Sequence, residues 1–353
     1  MRVLLIANNI YTTGGVQQYT RDFYDVLKGA ARVKLVRFFG SGLLARLFFV
    51  FRIVFSVLWF GPQFIIFNHI NYAPVALLLF RILRIPYAFI VYGIDAWNLK
   101  GGKQKQAIQS AYSLISLSRF TKSVIMRNEG IPDNRFFVLA PTINADEFFI
   151  GGRSEDLVRR HNLQDKKIVL TLCRLDKKEQ YKGYDKVIRA MPEVIKQISE
   201  ARYILVGDGD DKERVEKLVR DLDLEKYVIF TGVKIREERL PYYQTADVFV
   251  MPSSGEGFGI VFLESLACGV PVIGGNVDAS REPMLDGKLG ILVNPESVEE
   301  ISRAIVSVLT HRADKNLYGP QYLRGAIIKN FGPEAFQVKI KEYLRQLEHG
   351  LQK

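Results

Sequence analysis

Two carboxylates, Glu256 and Glu264, stand on either side of a glycine-rich turn in Ser253-Ser254-Gly255-Glu256-Gly257-Phe258-Gly259-Ile260-Val261-Phe262-Leu263-Glu264-Ser265-Leu266-Ala267-Cys268-Gly269-Val270-Pro271-Val272. Residues 249–252 read as a strand. The apolar run after the turn reads as a short helix, stopped by Gly269 and Pro271. The turn holds no Lys or Arg. An anion bound there is held by backbone N–H groups, those of Phe258, Gly259 and Ile260, and by the helix dipole. A carboxylate just ahead of the turn accepts hydrogen bonds from sugar hydroxyls. A second one, two turns along the helix, reaches another polyol such as a ribose. An anion between two sets of hydroxyls describes a nucleotide sugar. The bland alternative is a strand-turn-helix with a solvated glutamate.

The whole block, rather than Glu-x7-Glu by itself, resembles the C-terminal signature of glycosyltransferase family 4, the group 1 retaining sugar transferases of GT-B fold. The family pattern, E-G-F-G-x-x-x-x-E-(A/S)-(M/L)-A-x-G-x-P-V, is met at nearly every position. The resemblance implies further residues. Arg174, in Leu172-Cys173-Arg174-Leu175, and Lys182, in Tyr181-Lys182-Gly183-Tyr184-Asp185, match the Arg and Lys that hold the donor diphosphate. Two fixed cations there stabilise charge that grows as the glycosidic bond breaks. Gly207-Asp208-Gly209-Asp210 matches the family's G-x-G turn near the nucleotide. Its aspartates have the spacing of an Asp-x-Asp metal pair, but they also suit caps of the next helix. Thr231-Gly232-Val233 matches the turn bordering the nucleobase.

Toward the N-terminus, Thr13-Gly14-Gly15-Val16 resembles the family's glycine loop, which approaches diphosphate and acceptor, and reads equally as a plain turn. Asn68-His69 and Tyr92-Gly93-Ile94-Asp95-Ala96-Trp97 fall at strand ends. The family usually shows His-Gly-x-(Asp/Glu) at the second of these, and here Tyr92 stands where the His is expected. A same-face mechanism tolerates the change, because the leaving phosphate takes the acceptor's proton. His69 reads equally as a satisfied strand-end histidine. The implied roles are catalysis by Glu256, Arg174 and Lys182. Donor binding falls to Glu264, Phe258, Gly259, Ile260, Gly207, Val233 and Gly15. An acceptor set of His69, Tyr92 and Asp95 completes the site. The resemblance implies a nucleotide-sugar co-substrate with no other cofactor and no metal. It also implies a saccharide acceptor, lipid-linked and used in cell-surface glycan assembly. Rivals are an epimerase or phosphorylase of the same fold and a non-catalytic basic binding protein.

Short apolar runs that alternate with helical patterns must position these residues. Strands are expected at 3–8, 33–39, 64–69, 87–92, 114–118 and 136–139. After a polar bridge a second series follows at 168–173, 203–206, 228–231, 248–252, 270–273 and 291–293. Near-continuous Val, Ile, Leu and Phe is the mark of parallel strands covered on both faces. Two such series give an α/β fold of two Rossmann-like, doubly wound domains, with ligands at the carboxyl ends of the strands in the cleft between them. The expected domains are 1–150 for the acceptor and 151–332 for the nucleotide sugar. By the family resemblance, a final helix over 333–353 packs back on the first.

The chain has 353 residues, 48% hydrophobic and 25% charged, which suits a folded protein of two cores. Two cysteines and four histidines show no zinc spacing, and the thiols read as buried in a reducing compartment. Of the net charge of +11, residues 1–150 carry nearly all, with 17 Lys and Arg against 7 Asp and Glu. That asymmetry points to an anionic membrane surface or a phosphorylated acceptor. Nucleic acid is disfavoured, since no stacked aromatic-basic motif accompanies the charge. Residues 1–9 are too short for a signal peptide's apolar core and read as a strand. Residues 43–60 are the single candidate span, but Arg52 lies near the middle, at a cost of about 2.5–3.5 kcal/mol. At about 100° per residue, Arg46, Arg52 and Ser56 share an arc of about 120°, and the rest is Leu, Phe, Val, Ile and Trp59. Such a helix is either buried on two sides or touches lipid, with its arginines at headgroup level. The expected location is cytoplasmic, on the inner face of the cell membrane.

Overall fold

The computed structural model describes residues 1–11, 14–99 and 101–352. The chain divides into two compact units, Met1–Thr142 with Pro333–Lys353, and Ile143–Gly332.

Unit 1 is built on six parallel strands: β1 (Arg2–Ala7), β2 (Arg32–Arg37), β3 (Phe64–Phe67), β4 (Tyr87–Val91), β5 (Ser113–Ser116) and β6 (Phe136–Val138). Their spatial order is β2-β1-β3-β4-β5-β6. Residues Val3 to Ala7 of β1 are all fully buried, as a strand covered by helices on both faces must be. The chain runs from β1 outward to β2 by helix α1 (Gly15–Ala30), then back across β1 to β3 by helix α2 (Gly42–Phe60). Order therefore reverses between β1 and β3, and this is the unit's switch point. Helix α3 (Ala73–Leu83) carries the chain on to β4. The final helix, Pro333–Leu351, completes this unit. Its Tyr343 hydroxyl lies 2.8 Å from Ser113 Oγ, its Phe336 meets the ring of Tyr19 edge-on, and its Glu348 pairs with the N-terminal amine at 3.2 Å.

Of the two alternatives for helix α2, burial on two sides is not what the structure shows. Only Phe49, Ile53, Ser56 and Val57 are buried, against β1 and β2. The arc that holds Arg52 and Ser56 faces the sheet, and Arg52 Nη1 donates to the carbonyl of Arg37 on β2 at 3.2 Å. The arginine at mid-helix is thus tied down on the sheet side rather than raised to a lipid headgroup. The apolar arc faces outward.

Unit 2 repeats the plan with β7 (Lys167–Leu172), β8 (Ala201–Val206), β9 (Val228–Phe230), β10 (Val248–Met251), β11 (Val272–Gly275) and β12 (Gly290–Val293). The order is β12-β11-β10-β7-β8-β9, all parallel, with the switch point between β7 and β10. Unit 2 begins at Ile143 rather than at residue 151. The intervening segment docks on it. Ile143 N–H donates to the Phe331 carbonyl at 3.0 Å, and Arg324 donates to Ala145 at 2.8 Å and to Phe148.

Candidate functional site

In unit 2 the strand ends at the switch point carry the expected cations and carboxylate. Lys182 follows β7 and Glu256 follows β10, and Lys182 Nζ lies 3.1 Å from Glu256 Oε1. Both side chains are 15% exposed. Burial by itself would lower the Lys182 ammonium, but Glu256 foremost, with Cys173, Tyr181 and Glu179, holds it above its ordinary range. Glu179 also pairs with Lys182 at 3.4 Å and binds Arg174, whose side chain is 73% exposed. The cluster is therefore a half-buried Lys–Glu contact with a mobile-length cation at its open rim. An incoming phosphate can take the place of the carboxylate beside Lys182, since both accept charge-assisted hydrogen bonds from an ammonium.

The Glu256 loop is held from two directions. Ser254 N–H donates to the Tyr181 carbonyl at 2.9 Å. Asp278, fully buried after β11, accepts from Glu256 N–H at 2.6 Å and from Ser280 N–H at 2.9 Å. Burial pushes the Asp278 carboxyl up to about 6, against those donations. Behind the loop starts the helix Ile260–Ala267, and no side chain caps its first turn. Its leading amides are thus free of the usual competitor for a bound anion. Phe258 is 2% exposed and packs edge-on against Phe331 at 5.5 Å, so it offers a ligand its backbone only. Gly259 takes a left-handed conformation, φ 88°, that turns the chain into the helix.

Gly207 lies in close contact with the loop after β7. A Cβ there would lie 1.8 Å from the Cys173 carbonyl oxygen. Its turn is zipped to the loop after β7 by Cys173 N–H to Val206 O at 3.0 Å and Leu175 N–H to Asp208 O at 3.0 Å. Gly207 therefore seats the backbone that carries Arg174. Asp208 and Asp210 serve the same turn, accepting from the amides of Gly209 and Lys177 at 2.8 Å each. Among the described residues, no three His, Cys, Asp or Glu side chains are grouped to hold a metal ion.

Glu264 is 1% exposed, and its carboxylate is already engaged. It accepts from Tyr243 Oη at 2.7 Å and pairs with Arg239 at 3.3 Å and Arg236 at 3.5 Å. A polyol reaching it must share it with these partners. Val233 is 65% exposed on the turn after β9.

In unit 1 the expected residues also meet at a switch point. Tyr92 Oη lies 3.0 Å from Thr20 Oγ1, Asn68 Nδ2 donates to the same hydroxyl at 3.4 Å, and the His69 ring stacks on Tyr92 at 6.3 Å. Asp95 Oδ1 accepts from Gly93 N–H at 2.7 Å and Tyr92 N–H at 3.1 Å. Its Oδ2 is buried with no hydrogen-bond partner. Burial raises the Asp95 carboxyl to about 7 and lowers the His69 imidazole. Gly15 is the first residue of α1, and Thr13 of the same glycine loop lies outside the described residues. Sequence reasoning missed Thr20, Glu179, Asp278, Tyr243 and Arg239. Asp278 with Ser280 has the spacing of an Asx turn, a signal shared with any cap. The others carry none.

Comparison with known proteins adds likenesses of sequence and of fold. The profile described as Glycosyl transferases group 1 matches residues 153–321. A GDP-mannose-dependent alpha-(1-6)-phosphatidylinositol monomannoside mannosyltransferase of Mycolicibacterium smegmatis is 34% identical over 201 residues, 55% of this chain and 52% of that protein. A sulfoquinovosyl transferase of Arabidopsis thaliana is 35% identical over 141 residues, 39% of this chain and 27% of that protein. The chain thus spans about half the length or less of these curated relatives. Among solved structures, a sucrose-phosphate synthase from Thermosynechococcus elongatus superposes with a TM-score of 0.81 at 21% identity, over 99% of each chain. Anabaena HepE in complex with UDP superposes at 0.78 and 18% identity, over 98% of this chain and 100% of that one. These likenesses fix the fold as GT-B, two parallel-sheet α/β domains of six strands each.

Proposed function

We propose, for a chain whose residues 153–321 match the profile of the group 1 glycosyl transferases, that it moves a hexose from a nucleotide-diphosphate sugar to a lipid-linked saccharide with retention of configuration. The observation that carries this reading is the Lys182–Glu256 contact beside the uncapped start of the helix Ile260–Ala267. The helix amides and Lys182 take the diphosphate, with Arg174 at the rim. Glu256, released from Lys182 by the incoming phosphate, takes the hydroxyls of the sugar. Glu264, oriented by Tyr243, takes the ribose. The strand-end set of His69, Tyr92 and Asp95 in unit 1 takes the acceptor. The bond from the anomeric carbon to the phosphate oxygen breaks, the bond to the acceptor oxygen forms on the same face, and the acceptor proton passes to the departing phosphate. The growing charge meets fixed donors, and this lowers the barrier. Cationic side chains do the work of a divalent ion, so transfer needs no metal. The lipid nature of the acceptor is supported by the mycobacterial relative, whose named substrate is a phosphatidylinositol monomannoside. The place of work is then the cytoplasmic face of a membrane, in assembly of cell-surface glycan.

Incubation with a panel of GDP- and UDP-hexoses tests the reading. Release of nucleoside diphosphate from one of them, sustained in excess EDTA and stimulated by a glycolipid acceptor, is expected. Absence of turnover with every donor, or loss in EDTA restored by magnesium, overturns the reading or its metal independence, respectively.

A further inference from the structure

The outward arc of α2 has no counterpart in an ordinary surface helix. Nine of its large apolar residues are exposed, among them Leu44 at 82%, Phe51 at 63%, Leu58 at 73% and Trp59 at 78%. At about 100° per residue these nine fill an unbroken arc of about 160°, with no polar residue inside it. The polar side chains of the helix sit instead on the half that faces the sheet or borders it. Amphipathicity is inverted, with the greasier side outward. Phe51 stacks on Phe55 at 6.4 Å and Phe55 on Trp59 at 6.2 Å, so the arc is an ordered aromatic ladder. Helix α3 continues the surface. Its Leu78, Ile82 and Leu83 are exposed, and its start abuts α2 through Tyr72 and Phe49 at 5.7 Å. The exposed apolar area of α2 alone is on the order of 1,000 Å², above the few hundred that monomeric soluble proteins present.

Charge identifies what covers it. From residue 26 to residue 94, a run that contains β2, α2, β3, α3 and β4, the sequence holds eight Lys and Arg and no Asp or Glu. Arg46 near the start of α2, Arg81 on α3 and Arg84 at its end are exposed. A second copy of this chain would bring like charge against like, whereas an anionic leaflet offers both an apolar interior and negative headgroups.

We propose that the outward face of α2, extended by the end of α3, is a docking surface for an anionic lipid leaflet. The helix lies in the interface plane, with Phe51, Phe55 and Trp59 among the acyl chains and the flanking arginines at the phosphates. It does not span, because Phe49, Ile53 and Val57 on its other side are packed into the core of unit 1. The purpose of such docking, access to a membrane-held acceptor, rests on the transferase reading, but its test does not.

Co-sedimentation of the full chain with vesicles decides the matter. Vesicles of phosphatidylcholine with about one-third phosphatidylglycerol are expected to bind at least about tenfold more tightly than phosphatidylcholine alone. Trp59 emission should shift to the blue and be quenched by brominated acyl chains, read in a Trp97→Phe background. The triple variant Phe51→Ser, Phe55→Ser, Trp59→Ser removes only outward side chains. It should keep parental thermal unfolding and hydrolysis of a soluble nucleotide sugar, and lose vesicle affinity by about tenfold or more. Equal binding to both vesicles, or unchanged binding by the triple variant, overturns the proposal. Retention in the membrane after alkaline carbonate also overturns it in favour of a span. A lipid-free dimer that the triple variant abolishes overturns it in favour of a second copy. Vesicle binding without turnover of any donor leaves this proposal standing and removes the transferase reading instead.

Discussion

Lys182 sits between two carboxylates, Glu179 at 3.4 Å and Glu256 at 3.1 Å, and only the second follows a different strand. Substituting Lys182→Ala removes the less exposed of the two cations in that cluster. Turnover should fall about a hundredfold or more, as when a preorganised donor to a developing anion is lost, with the fold retained. Arg174→Ala should act in the same direction, and steady-state kinetics beside thermal unfolding separates the two effects. Asp95 supplies a pH dependence. Its carboxyl is raised to about 7 in the fold, so between the ordinary carboxylate range and that value the folded chain holds a proton that the unfolded chain has released. Stability from this group is therefore greatest in acid and is lost as pH rises toward about 7, by on the order of a few kcal/mol. Asp95→Asn keeps an oxygen for the Gly93 and Tyr92 amides and removes the titration. Its melting temperature relative to the parent should rise from pH 5 to pH 8, and a constant difference would refute the argument. Glu256, Lys182 and Arg174 were legible because each lies in a local motif. Asp278 and Tyr243 were not, because each acts on a motif residue 22 or 21 positions away through pairings that only the folded sheet creates.

Among elements, the strand-turn-helix from β10 to Ala267 depends on one backbone conformation. Gly259 lies at φ 88°, and a Cβ there would stand 2.6 Å from the ring of the fully buried Phe262. Gly259→Ala should cost about 1–3 kcal/mol of stability and weaken nucleoside diphosphate binding, since the displaced turn carries the helix amides. Calorimetric binding at parental strength would show that those amides do not meet the phosphate. All twelve strands were readable from apolar runs, because parallel strands buried on both faces need no alternation to announce them. Their ends shifted by a residue or two, as at β3, which stops at Phe67 so that Asn68 and His69 turn away from the ladder. The orientation of α2 was not readable. Periodicity shows which residues share a face, and a helix with Ser56 and Arg52 on one side is expected to turn that side to water. Here the Arg37 carbonyl on edge strand β2 gives Arg52 a partner on the sheet, and the rule is reversed.

At the scale of the whole molecule, unit 2 is one continuous segment and unit 1 is not. A fragment of residues 143–332 keeps the Phe331, Arg324 and Phe258 contacts described above, and it should unfold cooperatively and bind nucleoside diphosphate. Residues 1–142 without the final helix leave Tyr19, Ser113 and Phe137 without Phe336 and Tyr343, and should be aggregation-prone in the same buffer. Gel filtration and calorimetry of the two fragments check both outcomes. The expected boundary at 151 falls eight residues after Ile143, because 143–150 forms no helix or strand and loops do not reveal which core they dock on. The returning helix also sets an order of birth. Domains fold as units while the chain emerges from the ribosome. Unit 1 lacks its last helix until Pro333–Leu351 has been made, and unit 2, which ends at Gly332, can close before then. The nascent chain therefore carries an unsealed, strongly basic unit while all of unit 2 is being made, and of the two it is the one closed second.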